Sequence, residues 1–371
     1  MRYLIHISIL NLIIFFTQVK ASDLRLGLYH MQEIRSVVFS AIDGEYLLSG
    51  DDRQIAVIKT GVMFHVGLTR QGLTIDDTLR SYGTFKKVFF KGVSAENSFR
   101  IKPAMPSLQA KESDDNLALG ISDNSIEIVN IIDLEKYISG CVETEGGPNN
   151  LPEYYKAQAV LCRTYAIKNF SRHALEGFNL CDGIHCQAFN GKSRMNPLIY
   201  DAVSETRNLI LADNDSIPIM TAYHANCGGI SSSASMAWNK DLPYLIPVRD
   251  PFCDGSSQYA WKKSLTIAEW DNYLESKGMQ PGSDSLSGSF RQKYLDPEKR
   301  RLPLSTIRDD LKLKSSFFTV QQQNGSVIIQ GQGYGHGVGM CQEGAMEMAR
   351  VGYSYVDILM FYFHHVNLEN R

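Results

Sequence analysis

The chain has 371 residues, 44% of them apolar and 21% charged, the balance of a protein that buries a substantial core in one large domain or two. A formal charge of −3 leaves no basic field for nucleic acid, and the composition excludes collagen-like, disordered and disulfide-dense small scaffolds. Seven cysteines are too few for a stapled miniprotein, and odd in number if all were to pair.

The amino terminus reads as an export signal. Arg2 precedes an apolar run from Tyr3 to Phe16, and Val19-Lys20-Ala21 puts small residues where a signal peptidase cuts, so cleavage is expected near Ala21. The run is shorter than the roughly 20 residues that span a bilayer, and no cysteine stands near residue 21 for lipid attachment. The mature protein, residues 22–371, is expected in the periplasm or outside the cell at the wall. Nucleotide cofactors are scarce there, and thiol pairs can oxidise.

Residues 23–110 read as strands. Leu24-Arg25-Leu26-Gly27-Leu28 alternates, Val37-Val38-Phe39 and Tyr46-Leu47-Leu48 flank Asp43-Gly44 as a predicted hairpin, and Ile55-Ala56-Val57-Ile58 follows. Lys111–Asn116 is polar and reads as a loop, and Ile126–Ile132 as a strand. From Pro152 to about Arg172 the pattern is helical: Pro152 suits a first helical position, and Ala157, Val160, Leu161, Thr164 and Ile167 recur at helix spacing. Residues 176–196 carry loop chemistry, and 280–300 are polar and Gly/Ser-rich, a surface excursion. Phe317–Val320, Asn324-Gly325 and Val327–Ile329 spell a hairpin, and Gln342–Val351 a helix. Strands first and mixed elements afterwards argue an α+β class, divisible into a strand-rich lobe at 24–132 and a mixed lobe at 133–371.

Three constellations carry chemistry. In Leu134–Gly147, Glu145 stands where a predicted strand or turn gives way to glycines. A half-buried carboxyl there has a raised pKa and can donate a proton, although on spacing alone Glu135, Glu143 and Glu145 read first as ordinary surface charges. Cys181, His185 and Cys186, with His173 upstream, offer the soft donors of a tetrahedral zinc site. A Cys181–Cys186 disulfide fits the oxidising compartment equally well, and His173 beside Arg172 fits a helix C-terminus. Gly331–Gln342 is a glycine track holding Tyr334 and His336, either a backbone cradle for a ligand or a tight bend. It lacks the βαβ context of a dinucleotide fold and the Lys-Ser/Thr of a phosphate loop, so no nucleotide cofactor is expected. In Tyr223–Gly229, Cys227 next to His224 suggests a nucleophile, but residues three apart in a strand face opposite sides, and a Cys227–Cys253 disulfide is the preferred reading. Trp238, Trp261 and Trp270 suit either sugar stacking or a core.

In this order the segments resemble the stage II sporulation protein D (SpoIID) family, including its amidase-enhancer relatives, over about residues 24–368. Leu134–Gly147 is similar to the family stretch Leu-Glu-x-Tyr-x-x-Gly-Val-Val-x-x-Glu-Met, and Lys156–Ala166 to Lys-Ala-Gln-Ala-x-Ala-Ala-Arg-Thr-Tyr-Ala. Tyr223–Gly229 is similar to the His-Ser-x-x-Gly-Gly strand, and Gly333–Met340 to the carboxy-terminal signature. Gly146-Gly147-Pro148 replaces the Met, Cys341 a usual Ser, and Glu343 a usual Trp.

The resemblance implies a strand-rich α+β catalytic fold with a long central helix beside an active-site groove. It implies lytic transglycosylase cleavage of peptidoglycan glycan strands, preferably stripped of stem peptides, to 1,6-anhydro-N-acetylmuramic acid ends. Glu145 would be the acid and then the base. Gln158, Arg163, His224, Tyr334 and His336 would bind substrate, and His173, Cys181, His185 and Cys186 a structural zinc. Cys141, Cys162 and Cys341 fall where the family carries small residues and read as packed, unpaired thiols. The alternative is a non-catalytic, glycan-binding enhancer whose partner is a cell-wall amidase.

Overall fold

A computed structural model describes residues 23–194, 196–281 and 291–371; the expected export signal at 1–21 and part of the expected 280–300 excursion lie outside the described residues. Alternating apolar positions build two sheets in the first half of the chain. The larger has seven strands in the order Leu180–Cys181, Asp23–Leu28, Ser125–Asp133, Asn116–Ser122, Val88–Gly92, Tyr46–Gly50, Arg53–Ile58. The other has six, in the order Lys111–Asp114, Ser98–Met105, Ser36–Asp43, Met63–Thr69, Gly72–Asp76, Ser81–Phe85. Their inner faces meet where Phe39 stacks on Phe90 at 3.9 Å and Tyr46 packs edge-on against Phe39.

Three local expectations are corrected. Ser36–Asp43 and Tyr46–Gly50 do not pair with each other: the first pairs with Met63–Thr69 and Ser98–Met105, the second with Arg53–Ile58 and Val88–Gly92. The Asp43-Gly44 turn crosses between the sheets, because Val37 and Phe39 on one strand and Tyr46 and Leu48 on the other are all buried and meet only across the sandwich. Lys111–Asp114 is a strand rather than a loop. Its polar residues are matched: Glu112 with Arg100, Asp114 with Lys192, and Ser113 Oγ with Asn130 Oδ1 at 2.5 Å. Leu134–Gly146, read as strand or turn, is a helix (α1). Asp133 caps it by accepting from the Glu135 and Lys136 amides, and Gly147 follows it at φ 73°.

Pro152–Lys168 (α2) is helical as predicted, with Pro152 in its first turn. It packs against α1, the Leu198–Glu205 and Tyr355–Tyr362 helices and the Leu209–Ala212 strand, so residues on most of its faces are buried. One core runs from Leu24 to Phe363. A smaller one, with Trp270, Ile307, Phe318 and Ile329, lies under the three-stranded sheet of Ala260–Thr266, Ser326–Gln332 and Phe318–Gln323. Its predicted hairpin turns through Asn324 and Gly325, both at positive φ (50° and 75°). Trp270 is a core residue here, 1% exposed, and not a sugar platform. The fold is α+β and strand-rich, and among the described residues no helix is long and apolar enough to cross a membrane.

Candidate active site and metal centre

Glu145 lies in the last turn of α1, half-buried. Its Oε1 accepts from the backbone N–H of Ala188 at 2.8 Å, and the nearby Tyr223 hydroxyl also favours the charged carboxylate. Burial outweighs both influences and raises the pKa above the ordinary glutamate value. Beneath it, the Gln342 side-chain amide donates to the Glu145 carbonyl (3.0 Å) and to Gln158 Oε1 (3.4 Å), which also accepts from the Tyr154 hydroxyl (3.4 Å). Chemically this is a desolvated carboxyl on a fixed backbone, able to hold a proton at a higher pH than an exposed glutamate.

The other sequence candidates divide around this carboxyl. Gln158 is fully buried and supports Glu145 through Gln342. Arg163 is also fully buried: Nε and Nη2 make a two-pronged contact with Glu135 (2.9 and 2.6 Å), and Nη1 and Nη2 donate to the carbonyls of Leu209 and Val203. Nε, Nη1 and Nη2 all bond inside the fold and the side chain is buried, so it ties α1 to α2 and is not open to a sugar. Tyr223 and His224 are neighbours in a two-residue strand and point to opposite sides. Tyr223 faces Glu145, while the His224 Nδ1–H donates to the Val338 carbonyl at 3.1 Å and its buried Nε2 has no partner among the described residues. His224 and His336 are 5.7 Å apart between ring centres, with Trp238 5.1 Å from His336. Burial keeps both imidazoles neutral, His336 with a pKa pushed down to about 4. Tyr334 is exposed.

His173, Cys181, His185 and Cys186 converge, their donor atoms all within 4.8 Å of one another. Cys186 Sγ is 3.5 Å from His173 Nε2, and Cys181 Sγ is 3.8 Å from His185 Nδ1, close to the edges of about 3.5–3.8 Å of a tetrahedron with ordinary Zn–N and Zn–S bonds. His173 Nδ1 is held by Glu176 Oε1 at 2.6 Å, which turns the lone pair of Nε2 towards the cluster. Both thiols are free, so the Cys181–Cys186 disulfide reading does not describe this arrangement. The donors can hold a metal ion. They border a cavity of about 670 Å³ lined by Tyr29, His30, Lys111, Asp182 and Asn190. The same loop continues to Ala188, so the metal centre and the donor to Glu145 share one short segment.

Cys227 and Cys253, expected as a disulfide, are also free, with sulfurs 3.4 Å apart. Cys341, expected to be isolated, joins them with Asp250.

Sequence reasoning did not assign Tyr223, Gln342 or the Ala188 N–H to the site. The first two stand inside blocks already singled out, Tyr223 one residue from His224 and Gln342 as the last residue of the glycine track. A backbone N–H has no sequence signal.

A family model described as SpoIID, stage II sporulation protein, matches residues 122–212, the span that holds α1, α2 and the metal loop. The chain is 32% identical over 256 residues to an uncharacterized protein of Brachyspira hyodysenteriae, covering 66% of this chain and 69% of that protein. It is 27% identical over 296 residues to the stage II sporulation protein D of Bacillus subtilis, covering 73% and 84%. It is 27% identical over 280 residues to the amidase enhancer of Bacillus subtilis, covering 58% of this chain and 38% of that protein.

Proposed function

Because the chain belongs to the SpoIID and amidase-enhancer family, we propose that it is exported and acts on the glycan strands of peptidoglycan in the cell wall, with residues 22–371 as the working unit. The similarity to a protein named amidase enhancer supports most directly a role in which this chain binds glycan and stimulates a cell-wall amidase. That role needs a binding surface and no chemistry.

Glu145 favours a second reading, in which the chain also cleaves the strand as a lytic transglycosylase. The observation that carries it is a half-buried carboxyl whose pKa burial raises, hydrogen-bonded by Ala188 N–H with the Tyr223 hydroxyl nearby. A hydrolytic glycosidase ordinarily needs two carboxyl groups flanking the bond. A lytic enzyme needs one, because the 6-hydroxyl of the muramic acid attacks its own anomeric carbon. Glu145 gives its proton to the departing glycosidic oxygen, and then takes the proton of that hydroxyl as the 1,6-anhydro ring closes. Tyr223 and Ala188 steady the carboxylate between the two transfers, and Gln342 and Gln158 fix the backbone that carries it. The groove would run beside α2, whose Gln158 supports the acid.

The His173, Cys181, His185 and Cys186 donor set suits zinc, two imidazoles with two thiolates. Bound there, zinc would supply a structural clamp on the loop that leads to Ala188.

Peptide-free glycan strands incubated with wild-type protein and with Glu145→Gln, followed by mass spectrometry, separate the two readings. Anhydro-ended products from wild type alone support lytic cleavage. Glycan binding and amidase stimulation by both proteins, with no anhydro product from either, support the enhancer role and remove the catalytic assignment. Failure to bind glycan or stimulate an amidase, with no product, removes both.

A further inference from the structure

The geometry points to a second metal site, built from Cys227, Asp250, Cys253 and Cys341 and fitted to a zinc ion. Three segments far apart in sequence, one of them carrying both Asp250 and Cys253, bring three sulfurs and a carboxylate oxygen within 4.8 Å of one another, and all four residues are buried. Cys227 Sγ stands 3.4 Å from Cys253 Sγ and 3.3 Å from Asp250 Oδ2. Sulfur ligands around a tetrahedral zinc are separated by about 3.8 Å, so little movement closes the shell. A disulfide would join two of the sulfurs and leave a third thiol and a carboxylate packed against it with no shared purpose.

The backbone around the cluster is placed to support negative charge on sulfur once an ion is bound. Backbone N–H groups aim at two of the sulfurs: Gly229 at Cys253 (3.3 Å), and Cys227 and Gly344 at Cys341 (3.2 and 3.4 Å). Cys341 also caps the Gln342–Arg350 helix, where the helix dipole favours negative charge. Asp250 is oriented as a ligand: Phe252 N–H holds Oδ1 at 2.9 Å, and the buried Tyr362 hydroxyl holds Oδ2 at 2.9 Å. A Cβ on Gly344 would lie 2.4 Å from Asp250 Oδ2 and 2.3 Å from the Tyr362 oxygen, so the helix approaches this point as only glycine allows. Three thiolates and a carboxylate around a divalent ion leave net negative charge. The guanidinium of Arg291 offsets it, donating to the carbonyls of Cys227 (2.6 Å) and Ile230 (2.8 Å).

The site would be structural, since its ligands are buried and no position is left for substrate. It pins the strand that carries Tyr223 and the helix start that carries Gln342, the two side chains that reach Glu145. The proposal stands whether or not Glu145 is catalytic.

The test uses the mature chain, produced with added zinc and purified without chelator. X-ray absorption at the zinc edge of the wild type is expected to give an average above two sulfur ligands per zinc; two or fewer, as the His173 centre alone supplies, overturns the proposal. Metal analysis of the Cys181→Ser/Cys186→Ser variant is expected to find one zinc per chain, and a folded variant with none overturns it. A Cys227–Cys253 disulfide in peptides digested without reduction of the wild-type protein overturns it as well.

Discussion

The side-chain amide of Gln342 donates to the backbone carbonyl of Glu145 at 3.0 Å across 197 positions of sequence. The first residue of a late helix thereby holds the last turn of an early one. The same amide reaches Gln158 Oε1, so one buried donor ties together α1, α2 and the helix that follows the glycine track.

Gln342→Leu removes that donor and leaves two buried acceptors short of a partner. The expected loss is about 1–3 kcal/mol of stability, read by denaturant unfolding. If the chain is lytic, turnover of glycan falls while binding is kept. An unchanged unfolding midpoint would show that the link carries no weight.

Glu145→Gln is expected to change stability in a pH-dependent way. The folded-state pKa of Glu145 is raised by burial, so its contribution is fully present below the unfolded-state pKa and is lost as pH rises through the folded-state value. Glutamine cannot ionise. The difference in Tm, variant minus wild type, should therefore grow in favour of the variant between about pH 4 and pH 7. A difference that stays flat over that interval would contradict the raised pKa.

Arg163→Ala strands the Glu135 carboxylate beneath α2. Breaking one side of a buried pair costs about 3–5 kcal/mol, while the double variant Arg163→Met/Glu135→Met should cost less than Arg163→Ala alone. Affinity of the folded protein for glycan should be unaffected, because Arg163 is fully buried and its hydrogen bonds to Glu135, Leu209 and Val203 are all internal. A folded single variant with normal stability and weakened glycan binding would return Arg163 to the substrate-binding set.

Cys186→Ser removes one donor from the His173 centre. Zinc content should fall, and Tm should drop by about 5 °C or more. Chelator should lower the wild-type Tm in the same direction and leave that of the variant closer to its starting value. Equal chelator effects on both proteins would place the stabilising metal elsewhere.

What the sequence disclosed follows the range of the forces involved. Local signals read correctly: the alternation of Leu24–Leu28, Pro152 at the head of α2, and Asn324-Gly325 between two apolar runs each determine their own few residues. The Asp43-Gly44 turn misled because the same local chemistry serves a hairpin or a crossing between sheets, and burial of Phe39 against Phe90 decides between them. Lys111–Asp114 misled because its polar side chains are satisfied by Arg100, Asn130 and Lys192, none visible from the segment itself. At the candidate site, the close spacing of Cys181, His185 and Cys186 gave a legible donor set. The grouping of Cys227, Asp250, Cys253 and Cys341 spans 115 positions and has no periodicity to find. Gly146-Gly147 hid α1, since a glycine pair marks the end of a helix as readily as the end of a strand.

The long-range bond from Gln342 to Glu145 also orders events during biosynthesis. A growing chain that ends before residue 342 already contains Glu145, both sheets and α2, yet lacks the amide that holds the last turn of α1 in place. The carboxyl therefore reaches its final setting only after nearly the whole polypeptide has been made. A chain released early, or clipped ahead of the glycine track, retains the acidic residue without the assembled setting around it. Fragments and incomplete products that lack residue 342 therefore do not reproduce the hydrogen bonding around Glu145.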